Sequence, residues 1–177
     1  KIPILRYYNV FHISQVTNVL PLPKMEEFDT SPIERAENAL HNYIEREHIT
    51  LSVGASDRAF YSPYTDSIKI PAITQFECAE EYYATAFHEC GHSTLKASRC
   101  NRESENAAAF FGSEGYSKEE LIAEITSAAI LHSMGLETKE TFQNSAAYIQ
   151  NWLQVLKNDK KFIILASGKA EKAAKYI

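Results

Sequence analysis

The sequence predicts an α+β domain, a small, mostly antiparallel sheet packed on several helices. Short β-branched and aromatic runs separated by turn residues occupy the stretch from Thr50 to Ile70. From Ala79 onward the apolar residues recur at three-to-four spacing instead. A chain of 177 residues is long enough to bury a core as one compact unit, spanning 1–177.

The elements follow in order. Arg6-Tyr7-Tyr8-Asn9-Val10-Phe11 reads as a strand, and Pro21 and Pro23 mark the loop after it. Ser31-Pro32-Ile33-Glu34 combines an N-cap serine, a proline at the first helical position and a glutamate placed for a capping box, so a helix is expected from about Pro32 to Glu47. Thr50 to Val53 reads as a strand. Ala59 to Tyr61 and Ser67 to Ile70 read as strands joined by the turn Pro63-Tyr64-Thr65-Asp66, with Pro71 ending the run. The helix from Ala79 places Tyr83, Phe87, Cys90 or Gly91, and Thr94 along one face. After a polar loop over 101–116, a helix from Ser117 to near Gly135 carries Leu121, Ile125, Ala128 and His132 as a stripe. Phe142, Ile149, Trp152, Leu153 and Leu156 define another amphipathic helix, and Phe162 to Tyr176 reads as the last.

Composition narrows the function. A net charge of -5 argues against a broad grip on phosphate backbones, which needs clustered Lys and Arg. No apolar run is long enough to cross a bilayer, the first ten residues lack the order of a signal peptide, and a cytoplasmic location is expected. Cys78, Cys90 and Cys100 form no C-x-x-C pair, so free thiols are expected.

The chemistry centres on His88-Glu89-Cys90-Gly91-His92, an H-E-x-x-H pattern inside a helix. Histidines one turn apart project from the same face and can share one metal ion; neutral imidazole suits Zn2+, and three protein ligands leave a position open for water. Glu89 points beside that face, where its carboxylate can take a proton from the activated water and pass it to the leaving amine. Cys90 lies about 200° around the helix from His88 and belongs to the core. Leu95 and Ser98 stand where the longer motif would need Gly and His, so the third ligand must come from elsewhere. Ser117-Lys118-Glu119-Glu120-Leu121-Ile122-Ala123-Glu124 supplies acids, with Glu120 and Glu124 on a common face: one could bind metal and the other hold a histidine N–H. Ser117 and Glu120 also fit a capping box, which would leave the metal to Glu124, so spacing alone keeps both open.

Other candidates favour structural readings. His132 on an apolar stripe reads as a hydrogen-bonded core residue, Tyr116 as a hydrophobic staple, and Lys169, Lys172 and Lys175 as a solvated helix face.

With the motif in place, the chain resembles the zincin-like metallopeptidase domain at the C-terminal end of ArdC-type antirestriction proteins and TraC-type plasmid primases. The resemblance runs through Arg6 to Phe11, Ala59-Phe60-Tyr61-Ser62-Pro63, Tyr82-Tyr83-Ala84-Thr85, Phe87-His88-Glu89, Glu119 to Glu124, and Ala146-Ala147-Tyr148-Ile149 with Trp152-Leu153, nearly the whole chain. It departs at Cys90 and Ser93, where the family usually reads H-E-L-G-H-W-T, which leaves both histidines in place. The resemblance implies a gluzincin-type site with Glu120 as ligand and Glu124 in support, and a strand over Ala59, Phe60, Tyr61 and Ser62 that pairs with an extended peptide or protein substrate. It also implies that single-stranded DNA is bound by an N-terminal domain absent from this chain. The expected function is zinc-dependent peptide-bond hydrolysis in an antirestriction-type protein of a mobile element; the alternative is a non-catalytic protection module with a structural metal site.

Overall fold

A computed structural model describes residues 9, 11–17, 27–103, 114–141, 143–144 and 161–177, apart from the side chains of Ile13 and residues 114–116. The strand expected at Arg6 to Phe11, the amphipathic helix through Phe142 to Leu156 and the Tyr116 side chain fall wholly or largely outside that description.

Helix α1, Glu34–Arg46, has acids in its first turn and Arg46 in its last, matching the helix dipole, and buries Ala36, Leu40, Tyr43 and Ile44. It starts two residues later than the Ser31 cap predicts. Ile33 occupies the cap position in extended conformation, and the Tyr83 hydroxyl accepts its amide at 3.3 Å while donating to Glu37 Oε2 at 2.5 Å. The amide of the residue where the helix begins is thus held by a contact 50 residues away, which local pattern cannot foresee. The helix ends in a Schellman turn: His48 takes φ 55, its amide reaches Glu45 O, and the Ile49 amide reaches Ile44 O.

That turn delivers the chain into β1, Thr50–Gly54, followed by β2, Phe60–Ser62, and β3, Ser67–Pro71. The order is β1-β3-β2. Among the described residues the sheet is mixed instead of mostly antiparallel. The 63–66 turn folds β3 back along β2, pairing Tyr61 with Ile68, while β1 lies on the far side of β3 and runs parallel to it, Leu51 opposite Ile68. The Gln75 side chain clasps the β1–β2 connection, donating to Ser56 O at 2.8 Å and accepting the Ser56 amide at 3.2 Å.

Helix α2, Ala79–Ser93, lies against β2 and β3 and buries Tyr82, Tyr83, Ala86, Phe87 and Cys90. Burial pushes the Cys90 thiol far up, which makes it a packing group and not a nucleophile. Ser93, one of the two departures from the family pattern, joins its buried hydroxyl to that of Tyr43 on α1 at 2.7 Å.

Helix α3, Glu114–Ser133, begins three residues before the predicted Ser117 cap and ends at Gly135, φ 61, in a second Schellman turn. It lies between α2 and α4, Phe162–Tyr176, and is buried on two faces. Leu121 and Ile122 meet Phe162, Ala166 and Ala170 of α4, while Ile130 and Leu131 join the main core. The expected single stripe therefore does not exist, and His132 stands in solvent at 78% exposure, with Nδ1 3.0 Å from Glu137 Oε2. On α4, Lys172 and Lys175 are exposed as expected, whereas Lys169 is partly covered.

Gly91 sets how closely α2 and α3 approach, because a Cβ there would stand 3.1 Å from Ala123 Cα and 3.3 Å from Ala123 O. Gly91→Ala is expected to destabilise the fold by about 1 kcal/mol in urea unfolding, overpacking outweighing alanine's better helix propensity.

Candidate metal centre

Helix periodicity puts His88 and His92 on one face of α2, and the Gly91–Ala123 contact brings α3 within reach of both rings. The two Nε2 atoms face each other at 3.1 Å. Glu120 Oε1 lies 3.4 Å from His92 Nε2, and its Oε2 lies 3.6 Å from His88 Nε2. Tetrahedral zinc with bonds of about 2.0–2.1 Å holds its ligand atoms roughly 3.3–3.4 Å apart, so this donor set fits such an ion. His88, His92 and Glu120 form a three-residue group with the spacing for one metal ion, and it is the one found among the described residues.

Glu124 sits elsewhere in the site. Its Oε2 is 3.1 Å from His88 Nδ1, the ring nitrogen facing away from the convergence point. Because α3 starts before Ser117, the serine lies within the helix and the predicted capping box does not form; the Glu120 carboxylate is aimed at the histidines. Burial works against charge on His88, but the Glu120 and Glu124 carboxylates outweigh it and lift the ring to about 10, so taking up a cation through Nε2 must displace a proton.

Glu89 is 7% exposed. Burial pushes its carboxyl above the ordinary range, opposed by His92 and His88, with the Tyr61 backbone N–H of β2 acting in the same sense as the histidines. The Tyr61 hydroxyl donates to Asp66 Oδ1 at 2.8 Å. These groups open into a cleft of about 1060 Å³ with Ala59, Phe60 and Tyr61 along one side and Glu120, Glu124 and Ser127 along another. Ser62 is in β2 but does not line the cleft. Phe60 is 41% exposed at this wall.

Sequence reasoning missed two buried groups beside the centre, Glu119 and Arg102. Glu119 is visible in the acidic run, but Arg102 lies in an irregular stretch after α2 with no periodicity to mark it.

Residues 34–169 match the family model for zincin-like metallopeptidases. The chain belongs to that family. The zincin-like domain is 38% identical over 175 residues to the DNA primase TraC of Escherichia coli, covering 99% of this chain and 12% of that protein. Its fold is similar to the crystal structure of the Mn(II)-bound antirestriction protein ArdC from the R388 plasmid, with a TM-score of 0.64, 34% identity, and coverage of 90% of this chain and 56% of that one. The metal-free ArdC structure gives a TM-score of 0.63 at 32% identity, covering 94% of this chain and 57% of that one. The chain thus spans little more than half of ArdC and about an eighth of TraC. The α+β zincin-like class expected from the sequence is the observed one. No described helix is long and apolar enough to cross a membrane.

Proposed function

We propose that this domain is a zinc-dependent peptidase that hydrolyses peptide bonds, within an antirestriction-type protein of a mobile element. The observation that carries the reading is the convergence of His88 Nε2, His92 Nε2 and the Glu120 carboxylate, with the buried Glu89 next to them and an open cleft in front. His88, His92 and Glu120 would hold the ion, and Glu124 would orient His88 through Nδ1. When bound, the ion supplies Lewis acidity and lowers the pKa of water. Glu89 accepts the proton of the attacking water on a carboxylate oxygen and later delivers it to the departing amine nitrogen. Its raised pKa suits a group that must do both near neutrality. The β2 segment, with Ala59, Phe60 and Tyr61 on the cleft and Ser62 following, would lie along an extended peptide or protein substrate. Single-stranded DNA would be engaged by parts of such proteins outside these 177 residues, in the cytoplasm.

ArdC keeps a similar likeness to this chain with and without its ion, TM-scores 0.64 and 0.63. The hydrolytic reading is favoured over a non-catalytic protection module by the buried Glu89 beside the donor set and by the open cleft, neither of which a purely structural metal site needs.

Elemental analysis of the purified chain should find about one zinc per molecule. Cleavage of a peptide library should disappear with chelator and return with added zinc. Cleavage that persists in the metal-stripped protein, or no cleavage by the loaded one, would overturn the proposal. The two glutamates separate by alanine replacement: Glu120→Ala should lose bound metal, whereas Glu124→Ala should retain it with affinity lowered about 10- to 100-fold. Full metal in Glu120→Ala with loss in Glu124→Ala would reverse the assignment.

A further inference from the structure

We infer that Glu119 is a positioning residue for His92, held in place by Arg102, so that the acids of α3 divide three tasks around the metal centre. The inference rests on the proposed metal site. His88 and His92 turn their Nε2 atoms towards each other and towards Glu120, and turn their Nδ1 atoms outward. On His88 the outward nitrogen meets Glu124 at 3.1 Å. On His92 it meets Glu119, whose Oε1 stands 3.9 Å away.

The Glu119 side chain is 8% exposed and that of Arg102 is 3% exposed. Arg102 grips the carboxylate at both oxygens, Nη2 to Oε1 at 2.5 Å and Nε to Oε2 at 3.1 Å. The same guanidinium donates to Gly91 O at 3.2 Å and to Thr94 Oγ1 at 2.9 Å. It is therefore fastened to the backbone of α2 one residue before His92 while holding the carboxylate that faces the His92 ring. A planar guanidinium with fixed donor directions sets the orientation of its partner as well as its distance.

At 3.9 Å the contact with His92 is electrostatic. A carboxylate on the Nδ1 side favours the ring tautomer with its proton on Nδ1, which leaves the Nε2 lone pair aimed at the Glu120 side. Arg102 offsets the Glu119 charge, so the carboxylate can direct the ring without adding net negative charge beside Glu89 and Glu120.

The competing explanation is a staple: the Arg102–Glu119 pair would only fix the segment after α2 to α3. Three variants separate the two, read by zinc affinity in competition titrations, by thermal stability and by the ring-nitrogen NMR shifts of His92. Glu119→Leu should weaken zinc binding about tenfold or more and shift His92 away from the Nδ1–H tautomer, while Glu119→Gln, which keeps an acceptor, should restore affinity to within about threefold. Glu119→Leu leaves Arg102 buried without this partner and can fail to fold, so the deciding protein is Arg102→Met/Glu119→Leu. A buried ion pair replaced by apolar residues of similar volume usually keeps stability. The double variant should therefore melt near the native temperature yet bind zinc about tenfold more weakly. Native zinc affinity in the double variant would overturn the inference and leave the staple. A native chain that binds no zinc would overturn the metal-site reading beneath it.

Discussion

Glu89→Gln is expected to reduce peptide hydrolysis by about 10²- to 10⁴-fold while leaving zinc content and thermal stability unchanged. Glutamine has the shape of glutamate and keeps an oxygen towards the Tyr61 backbone amide, so the packing of α2 on β2 survives. What disappears is a basic site for the proton. At a position only 7% exposed, relief of the buried charge offsets the attraction to His92 and His88 that the substitution removes. In the native protein, if it hydrolyses peptides as proposed, kcat/KM should rise with pH as Glu89 ionises, with a midpoint above the ordinary 4.5 because burial disfavours the charge. That limb should be absent in the residual activity of Glu89→Gln. Equal kcat/KM for the two proteins would remove Glu89 from the chemistry.

The histidines of this site are legible in the sequence because their relation is local: one turn of one helix fixes both rings on one face. The start of α2, the glycine end of α3 and the whole of α4 are equally local and fall where pattern places them. The choice between Glu120 and Glu124 is not local. Both lie on the same face of α3, and which of them meets Nε2 depends on the rotation and depth of α3 against α2, set at Gly91 and Ala123. Ser117 misleads because a serine three residues before a glutamate looks the same inside a helix as at its cap. Ser31 misleads for a different reason, since the helix starts from Ile33, whose amide the Tyr83 hydroxyl holds. The stripe through His132 fails because burial on two faces leaves α3 without one solvent face. Arg99 and Arg102 escape sequence reading altogether, sitting in irregular chain where neither period nor turn chemistry marks a buried guanidinium.

Arg99 carries the largest expected effect on stability. Its side chain is 2% exposed and joins three parts of the fold. It reaches both carboxylate oxygens of Asp66 in the β2–β3 turn, at 3.0 and 2.9 Å, and Glu47 Oε2 at the end of α1, at 3.1 Å. It also donates to Ser93 O at the end of α2, at 2.9 Å. Arg99→Met keeps most of the apolar stem but leaves two carboxylates and a buried carbonyl without this donor, and should cost about 3–5 kcal/mol in urea unfolding. Lys96 Nζ, 2.9 Å from Asp66 Oδ2, remains as a partial substitute and places the loss towards the lower figure. The acid side of the stability profile should change as well. Burial works against the Asp66 charge, but Arg99, Lys96 and Tyr61 outweigh it and hold the carboxyl at about 2, below its ordinary 3.8. Its contribution is therefore complete above about pH 4 and is lost as pH falls towards 2. In Arg99→Met the folded-state carboxyl moves back towards its ordinary 3.8, so that contribution should be smaller and its loss should be complete at a higher pH. The damage should reach the site too, because Tyr61, which gives its hydroxyl to Asp66, lines the same cleft as Glu89. Loosening the turn frees the β2 wall beside Glu89, so on the proposed mechanism kcat/KM should fall even at temperatures where the variant is fully folded. A variant that loses stability but keeps native kcat/KM would show that Glu89 holds its place without the Asp66 turn.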